Sequence, residues 1–263
     1  MNKIHNNLSV ELYPVKMQGS GAFDGGRITE TKPIGFPGEG SVVLRIGPLF
    51  YWAWASSESG GLIALHPHQA FEIMSYAIGG EISHMDTLGS RSSVQAGGVQ
   101  VMQTGSGVSH EEELGSETDM FQIWFEPHLK EALLRPPTYN QFSREDFPVL
   151  ERDGVTVKSV IGGAAPMKLV ADALVYDVRI DSGSEWRHDL RAGRSLASVA
   201  MSGSGTWSTN LDEPEIRMDP KDFVVANATG DSTTAVVASA DGALHILAVE
   251  VPREVDYPLY AKN

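Results

Sequence analysis

Short apolar segments recur along this chain at intervals of roughly ten residues, and they are separated by Gly, Pro, Asp and Ser. Glycine is frequent, with 27 residues among 263, so the sequence offers many turns. This spacing is typical of antiparallel sandwiches and barrels, because each short strand must be followed by a reversal of the chain. The sequence therefore predicts an all-β protein.

The position of the candidate strands suggests two groups. The first group begins after a polar, glycine-rich stretch of about 40 residues, in which we interpret 19–26 and 35–40 as loops. A helical patch at 128–134 ends before Pro136, since proline stops helices, and the polar stretch 138–146 is predicted to be a linker. The second group of strands runs from Val155 to Val251. Candidate strands of the first group are 41–46, 49–54, 71–78, 81–85, 92–95, 98–102 and 120–125.

The two groups share a rough plan, in which a glycine-containing turn, a histidine, a strand and a Gly-rich corner follow one another. A chain of 263 residues is long enough to bury two ordinary cores. We therefore expect two packed β domains of one plan, 1–135 and 136–263, each of them a sandwich or a barrel.

Composition limits the partners and the metal ligands. The formal net charge is −14 and no dense Lys/Arg tract occurs, so direct nucleic-acid binding is not expected. There is no cysteine, which leaves imidazole and carboxylate as metal ligands. No apolar stretch approaches the length of a signal peptide or of a membrane span. We expect a cytoplasmic protein without a membrane partner.

The most informative segment contains His66 and His68, which are separated by one proline. Side chains at i and i+2 of a strand point to the same face, so both imidazoles can bind one ion. The distances along the chain from Gly60 to His66, and from His68 through Glu72 to Gly79, match the first motif of the cupin proteins.

A second pair of candidate ligands follows a glycine-rich turn at 105–107. His110 and Glu112 again stand at i and i+2, so they share a strand face. If the two strands are neighbours, they form a site of three histidines and one carboxylate that is open on one side. Glu72 is the alternative carboxylate, because cupins often bind metal from that position; otherwise we expect it to support the ligands or line the pocket.

The remaining histidines give no second site. His5, His84 and His128 lie outside the two motifs and are interpreted as surface or hydrogen-bonded residues. His188 and His245 have no second histidine on the same strand face, so no metal is expected in the second barrel.

Several sequence motifs in the first half of the chain resemble those of pirin and the bacterial pirin-like proteins. The resemblance implies an all-β bicupin, two packed antiparallel β-barrels of the double-stranded β-helix or jelly-roll type. Its N-terminal barrel, 1–135, would bind iron through His66, His68, His110 and Glu112, and its C-terminal barrel, 136–263, would carry no metal. Some family members cleave flavonols such as quercetin with dioxygen, and the animal member is linked to transcription as a co-regulator. The matching motifs are His66-Pro67-His68, Phe71-Glu72, Gly80-Glu81, His84 with 86–89, 98–100 with Met102, 105–108 with His110 and Glu112, 122–124, and 137–141.

The chain also departs from the family pattern. Gln69-Ala70 stands where the family usually has Arg-Gly, and Val101 stands where a Trp is common. Glu111 replaces a small polar residue between the two ligands. These changes leave the expected metal ligands in place, and they bear on the identity of the substrate.

The combined expectation is a dioxygenase that uses Fe(II), with Mn, Co, Ni, Cu or Zn as alternatives. Its partners would be dioxygen and a flavonol-like (quercetin-type) or catecholic substrate, whose hydroxyl loses a proton to Glu112 or Glu72. The alternative is a non-catalytic, metal-binding regulator that binds a protein partner. Hydrolase or isomerase chemistry on another small molecule is a third reading. An apolar pocket above the metal would favour an enzyme.

Overall fold

The structure is a computed structural model that describes residues 8–208 and 215–262. Its secondary structure is almost entirely β, which confirms the predicted class, and none of the described helices is long and apolar enough to span a membrane. The first ten strands are β1 (Leu8–Tyr13), β2 (Gly19–Phe23), β3 (Ile28–Ile34), β4 (Leu49–His68), β5 (Glu72–Gly79), β6 (Glu81–Asp86), β7 (Arg91–Gln95), β8 (Val99–Gln103), β9 (Val108–Phe125) and β10 (Thr138–Phe142).

Within residues 8–208 and 215–262 there is one α-helix, α1 (Leu129–Ala132), which is short and lies between β9 and β10. Single 3-10 turns occur at Val15–Met17, Asp24–Gly26 and Arg144–Asp146. The other ten strands are β11 (Val149–Arg152), β12 (Val155–Ile161), β13 (Leu174–Ile180), β14 (Glu185–Leu190), β15 (Arg194–Ser202), β16 (Gly205–Ser208), β17 (Ile216–Met218), β18 (Phe223–Ala228), β19 (Thr233–Ser239) and β20 (Leu244–Pro252).

The chain forms two compact units, each built from separate segments of the sequence. The metal unit comprises Met17–Phe147, Pro166–Asp172 and Val255–Asn263. The second unit comprises Met1–Lys16, Pro148–Ala165 and Ala173–Glu254. Both units draw on both halves of the chain. The simple division at residues 135 and 136 remains a prediction.

The metal unit is a mainly antiparallel sheet in the order β10-β8-β5-β9-β4-β3-β2, with β6 joining β9 and β7 joining β6. β4 and β9 are its longest strands, and they pair from Leu49 opposite Phe125 to His68 opposite Val108. Apolar side chains on one face of these strands form a buried core cluster. Among the described residues this sheet does not close into a hydrogen-bonded barrel. The strands and their antiparallel pairing agree with the barrel prediction, but the predicted closure is not present among these residues.

The second unit contains two antiparallel sheets. The larger has the order β1-β18-β15-β20-β13-β12-β11 and the smaller β14-β19-β16-β17. Alternating side chains of both sheets meet in one buried cluster, in which Trp186 and Trp207 from the smaller sheet contact the apolar face of the larger sheet. This two-layer packing buries the apolar face of each sheet.

Three local predictions are wrong. The stretch 41–46 is not a strand, because Val42 and Leu44 are exposed and only isolated bridges form there. The expected linker 138–146 begins with a strand, β10, whose Tyr139 packs against a small apolar cluster. The predicted loop 19–26 contains a strand, β2, which pairs with β3, and β3 pairs in turn with β4. Tertiary pairing overrides local glycine content in these places.

Candidate metal centre

The three motif histidines meet where β4 ends and β9 begins. His66 is the direct cross-strand partner of His110, and His68 lies opposite Val108. A register shift between Ile63 and His66 inserts one extra residue into β4. Such a bulge turns the end of a strand, and here it brings both imidazoles of β4 to the face that carries His110.

The imidazoles are close enough to share one ion. The Nε2 atoms of His66 and His110 are 3.1 Å apart, and one ring nitrogen from each of the three histidines lies within 4.8 Å of the others. Two nitrogens bound at about 2.1 Å to one ion, roughly at right angles, would themselves be about 3 Å apart. The spacing therefore fits a first-row divalent metal.

The hydrogen bonds and protonation of the rings also fit a metal. The Nδ1 of His66 lies 2.8 Å from the carbonyl oxygen of Ala64, which orients its Nε2 toward the other rings. The Nε2 of His68 is buried and has no hydrogen-bond partner. Burial, followed by the neighbouring imidazoles, lowers the pKa of His68 and of His110 to about 3. Both rings are neutral near pH 7, which is the form that binds metal.

Glu112 lies next to the histidine cluster but its carboxylate is engaged elsewhere. It is almost fully buried, accepts a 2.6 Å hydrogen bond from the hydroxyl of Ser75 and accepts another from the amide of Gln122. The indole of Trp124 donates to Gln122 at 3.0 Å and lies edge-on against His68, with ring centroids 4.8 Å apart. The three histidines meet without Glu112, whose role as the fourth ligand remains a prediction.

Glu72, the alternative carboxylate, faces away from Glu112. Ser75 of the same strand contacts Glu112, and a residue three positions earlier points to the opposite face. The Glu72 carboxylate accepts 2.8 Å hydrogen bonds from the backbone amides of Val170 and Ala171, and a third from Gln103. Burial raises the pKa of Glu72, although these hydrogen bonds act in the opposite direction. Its position makes it an anchor for the segment 166–172.

His84 is hydrogen-bonded, as one of its two interpretations from the sequence allowed, whereas its partner Asp86 was not identified as a residue of the site. Both are buried, and they are the cross-strand partners of Glu112 and His110, respectively. The Nε2 of His84 is 3.1 Å from Asp86, and its ring stacks on Tyr139 with centroids 4.0 Å apart. Burial opposes ionisation of Asp86, but hydrogen bonds from His84 and Ser90 lower its pKa overall. The His-x-Asp spacing on β6 is the signal that could have located this pair.

A solvent-filled cleft of about 470 Å³ borders His68. It lies at the ends of β4 and β9, beside the turn after β6, so it gives access to the edge of the histidine cluster. Its lining residues are Pro67, His68, Gln69, Thr87, Gly107, Val108 and Ser109.

His188 and His245 of the second unit each lie within hydrogen-bond distance of a carboxylate. His188 lies 2.6 Å from Glu250, and Arg194 also contacts that carboxylate. His245 contacts Asp177, which in turn lies 3.2 Å from Lys158. Among the described residues, the only histidine cluster with the spacing of a metal site is the one in the metal unit.

Comparison with known proteins agrees with this geometry. The family model named Pirin matches residues 53–125, which include all three clustered histidines. A Pseudomonas aeruginosa protein provisionally named quercetin 2,3-dioxygenase is 31% identical over 210 residues, covering 78% of this chain and 84% of that protein. The chain belongs to the pirin family. Human pirin is 29% identical over 174 residues, and several other pirin relatives are matched over only about half of their length.

Solved structures of pirin-family and related proteins share the whole architecture. GK1651 from Geobacillus kaustophilus has a TM-score of 0.79 at 21% identity and covers 95% of this chain and 98% of its own. Bacterial pirin YhhW from Escherichia coli, in complex with nickel(II), has a TM-score of 0.76 at 21% identity, with 94% and 100% covered. Quercetin 2,3-dioxygenase from Acinetobacter baumannii also scores 0.76, at 18% identity, with 96% and 82% covered. The pirin chain described here therefore has the bicupin fold.

Proposed function

We propose that this pirin-family protein is a metal-dependent dioxygenase that binds Fe(II) and acts on a flavonol-like or catecholic aromatic substrate. The observation that carries the proposal is the convergence of His66, His68 and His110 at the edge of an open cleft. The relative from P. aeruginosa, with its provisional dioxygenase name, supports the same reaction class.

The three histidines would hold the ion, and Glu112 is proposed as the fourth ligand. Nitrogen and oxygen donors of this kind suit Fe(II), although nickel and other first-row metals fit the same set. The bound metal would supply a Lewis acid for a substrate oxygen and a site for dioxygen. The 3.1 Å separation of the His66 and His110 nitrogens is compatible with this assignment without any large movement.

The chain's own residues would bind the substrate and handle its proton. A planar aromatic ligand would enter through the cleft that His68 lines. Trp124 packs against the His68 ring and would hold it in place. Glu112 is proposed to accept the substrate hydroxyl proton, since Ser75 and Gln122 hold its carboxylate in one orientation within the barrel. Glu72 lies on the opposite face of its strand, so we assign it no part in the proton transfer.

The test is metal analysis followed by oxygen uptake. The purified protein would be stripped of metal, loaded with Fe(II) without oxygen, and then screened with quercetin, related flavonols and catechols. We expect oxygen consumption that depends on metal and substrate and that His110→Ala abolishes, while His128→Ala retains it. Stoichiometric metal binding without any oxygen uptake across the screen would favour the metal-binding regulator instead.

A further inference from the structure

The ammonium group of Lys262 lies in a cage of backbone carbonyl groups in the metal unit. Its Nζ donates hydrogen bonds to the carbonyl oxygens of Gly35, at 2.7 Å, and of Leu44, at 2.6 Å. A third hydrogen bond goes to the carbonyl oxygen of Phe50. These carbonyls come from the end of β3, from the loop that follows and from the start of β4, so the fold itself brings them together.

The number and chemistry of the contacts fit a primary ammonium ion. Such a group has three N–H donors and no acceptor, and three carbonyl oxygens satisfy it fully. Two aromatic faces add to the attraction, because Nζ lies 4.5 Å from the ring centroid of Phe36 and 5.6 Å from that of Phe50. A cation over an aromatic ring is stabilised by the negative face of that ring. We call these three carbonyls and two rings the ammonium cage.

The segment that carries Lys262 is held at a second point by a buried carboxylate. Glu126 is fully buried and accepts hydrogen bonds from the guanidinium of Arg45, at 2.7 Å, and from the backbone amide of Tyr260. Arg45 also donates to the carbonyl of Tyr260 at 2.7 Å. The C-terminal segment 255–262 is thus attached through Glu126 and through the ammonium cage.

The ammonium cage connects to the metal centre through a layer of aromatic rings. Phe36 and Phe50 both contact Trp124 edge-on, with centroid distances of 6.2 and 5.9 Å. Trp124 in turn contacts His68 at 4.8 Å. Closely packed rings transmit displacements, because protein interiors leave few voids in which a side chain can shift alone.

We propose that the ammonium cage is a binding site for a primary alkylammonium group, that Lys262 is its internal ligand, and that the filled cage positions the Phe36–Phe50–Trp124 layer against His68. Lys262 is then a positioning residue for the metal centre. This inference is independent of the proposed reaction, since it concerns how the metal unit holds its C-terminal segment and one candidate ligand.

The experiment removes the lysine and replaces the lost group with a small molecule. Lys262→Ala deletes the three outer methylenes and the ammonium, which n-propylammonium reproduces. We expect the variant to exchange the amides of 255–262 at least about tenfold faster than the wild type, a change of about 1.4 kcal/mol. Millimolar n-propylammonium at pH 7 should restore the protection and should leave the wild type unchanged.

Two controls are needed. The first distinguishes hydrogen bonding by the ammonium group from its charge, and the second distinguishes the loss of Lys262 from the loss of any other lysine. Tetramethylammonium carries the same charge without N–H donors, so it should not restore protection. Lys130→Ala removes an exposed lysine of α1 in the same unit and should leave the exchange of 255–262 unchanged. Lys262→Met keeps a stem of the same length, so it should also exchange faster than the wild type, but n-propylammonium should not rescue it because the stem occupies the space of the propyl chain. This variant serves if Lys262→Ala folds poorly.

A second measurement tests the connection to His68. Nickel(II) affinity of Lys262→Ala should fall severalfold and recover with n-propylammonium, while Lys130→Ala should match the wild type. Unchanged exchange in both Lys262 variants, or equal rescue by tetramethylammonium, would overturn the ammonium cage. Faster exchange with unaltered nickel affinity would overturn the positioning role.

Discussion

The Nε2 atoms of His66 and His110 face each other at 3.1 Å across a directly paired position of β4 and β9. One of these nitrogens could donate a hydrogen to the other, or both could bind one ion. The unpartnered, buried Nε2 of His68 favours the ion, because a buried polar atom without a partner costs about 1–3 kcal/mol and a metal would satisfy it. We therefore interpret this pair of histidines as part of a metal site.

His110→Ala is expected to weaken nickel(II) or Fe(II) binding by at least about a hundredfold, since it removes one of three converging ligands. The fold should persist, because the buried apolar cluster of the metal unit does not include the ligands. Metal titration and circular dichroism would measure both effects. The matched control is His128→Ala, which should bind metal like the wild type. Full metal occupancy in the His110 variant would contradict the proposed centre.

Conservative substitutions of Glu112 and Glu72 should have different effects on metal binding and on stability. Glu112→Gln should weaken metal binding if Glu112 turns toward the ion as the fourth ligand. Glu72→Gln should leave metal affinity unchanged but lower the free energy of unfolding by about 1–3 kcal/mol, because an amide cannot accept all of the hydrogen bonds from Val170, Ala171 and Gln103. Titration and urea unfolding give the two quantities. Loss of metal binding in the Glu72 variant alone would reverse the assignment.

The sequence was most informative where a strand repeats its chemistry every second residue. The pairing of His66 with His68 on one face followed from that period, and the all-β class followed from the short apolar segments separated by turn residues. It could not give the bulge before His66, which depends on cross-strand register. Nor could it show that Glu72 binds the amides of Val170 and Ala171, because nearly one hundred residues of chain separate these partners, roughly the length of a whole domain.

Ala70 occupies a backbone conformation that favours glycine, with φ at +69°. A non-glycine residue in this region is strained by about 1–2 kcal/mol, whereas glycine loses about 0.5–1 kcal/mol through its greater freedom when unfolded. Ala70→Gly should therefore raise the free energy of unfolding by up to about 1 kcal/mol. Ala164→Gly, at an exposed position whose φ is not positive, should lower it or leave it unchanged. Chemical denaturation of both variants measures whether each substitution raises or lowers the free energy of unfolding.

The second unit should lose stability in acid through Glu250. Burial acts to raise the pKa of this carboxyl, but His188 and Arg194 lower it overall below its ordinary value. A carboxyl whose pKa is lower in the folded state stabilises the protein above its unfolded pKa, and this contribution disappears as the pH falls through the folded pKa. We expect the stability difference between wild type and Glu250→Gln to shrink between about pH 5 and pH 3. Urea unfolding across this range, with exposed Glu254→Gln as the control, measures it.

Metal should saturate at one equivalent per chain. In the second unit, Trp186 and His188 pair across strands with Val237 and Ala235, so the partner strand offers no ligand beside His188. The imidazole of His188 is already bound to Glu250, and the nearby guanidinium of Arg194 opposes a divalent cation. Titration of metal-free protein with nickel(II), followed by calorimetry and by metal analysis after gel filtration, counts the sites. His188→Ala should leave the count at one, and His68→Ala should abolish tight binding. A second equivalent of similar affinity that is lost in His188→Ala would place a metal site in the second unit.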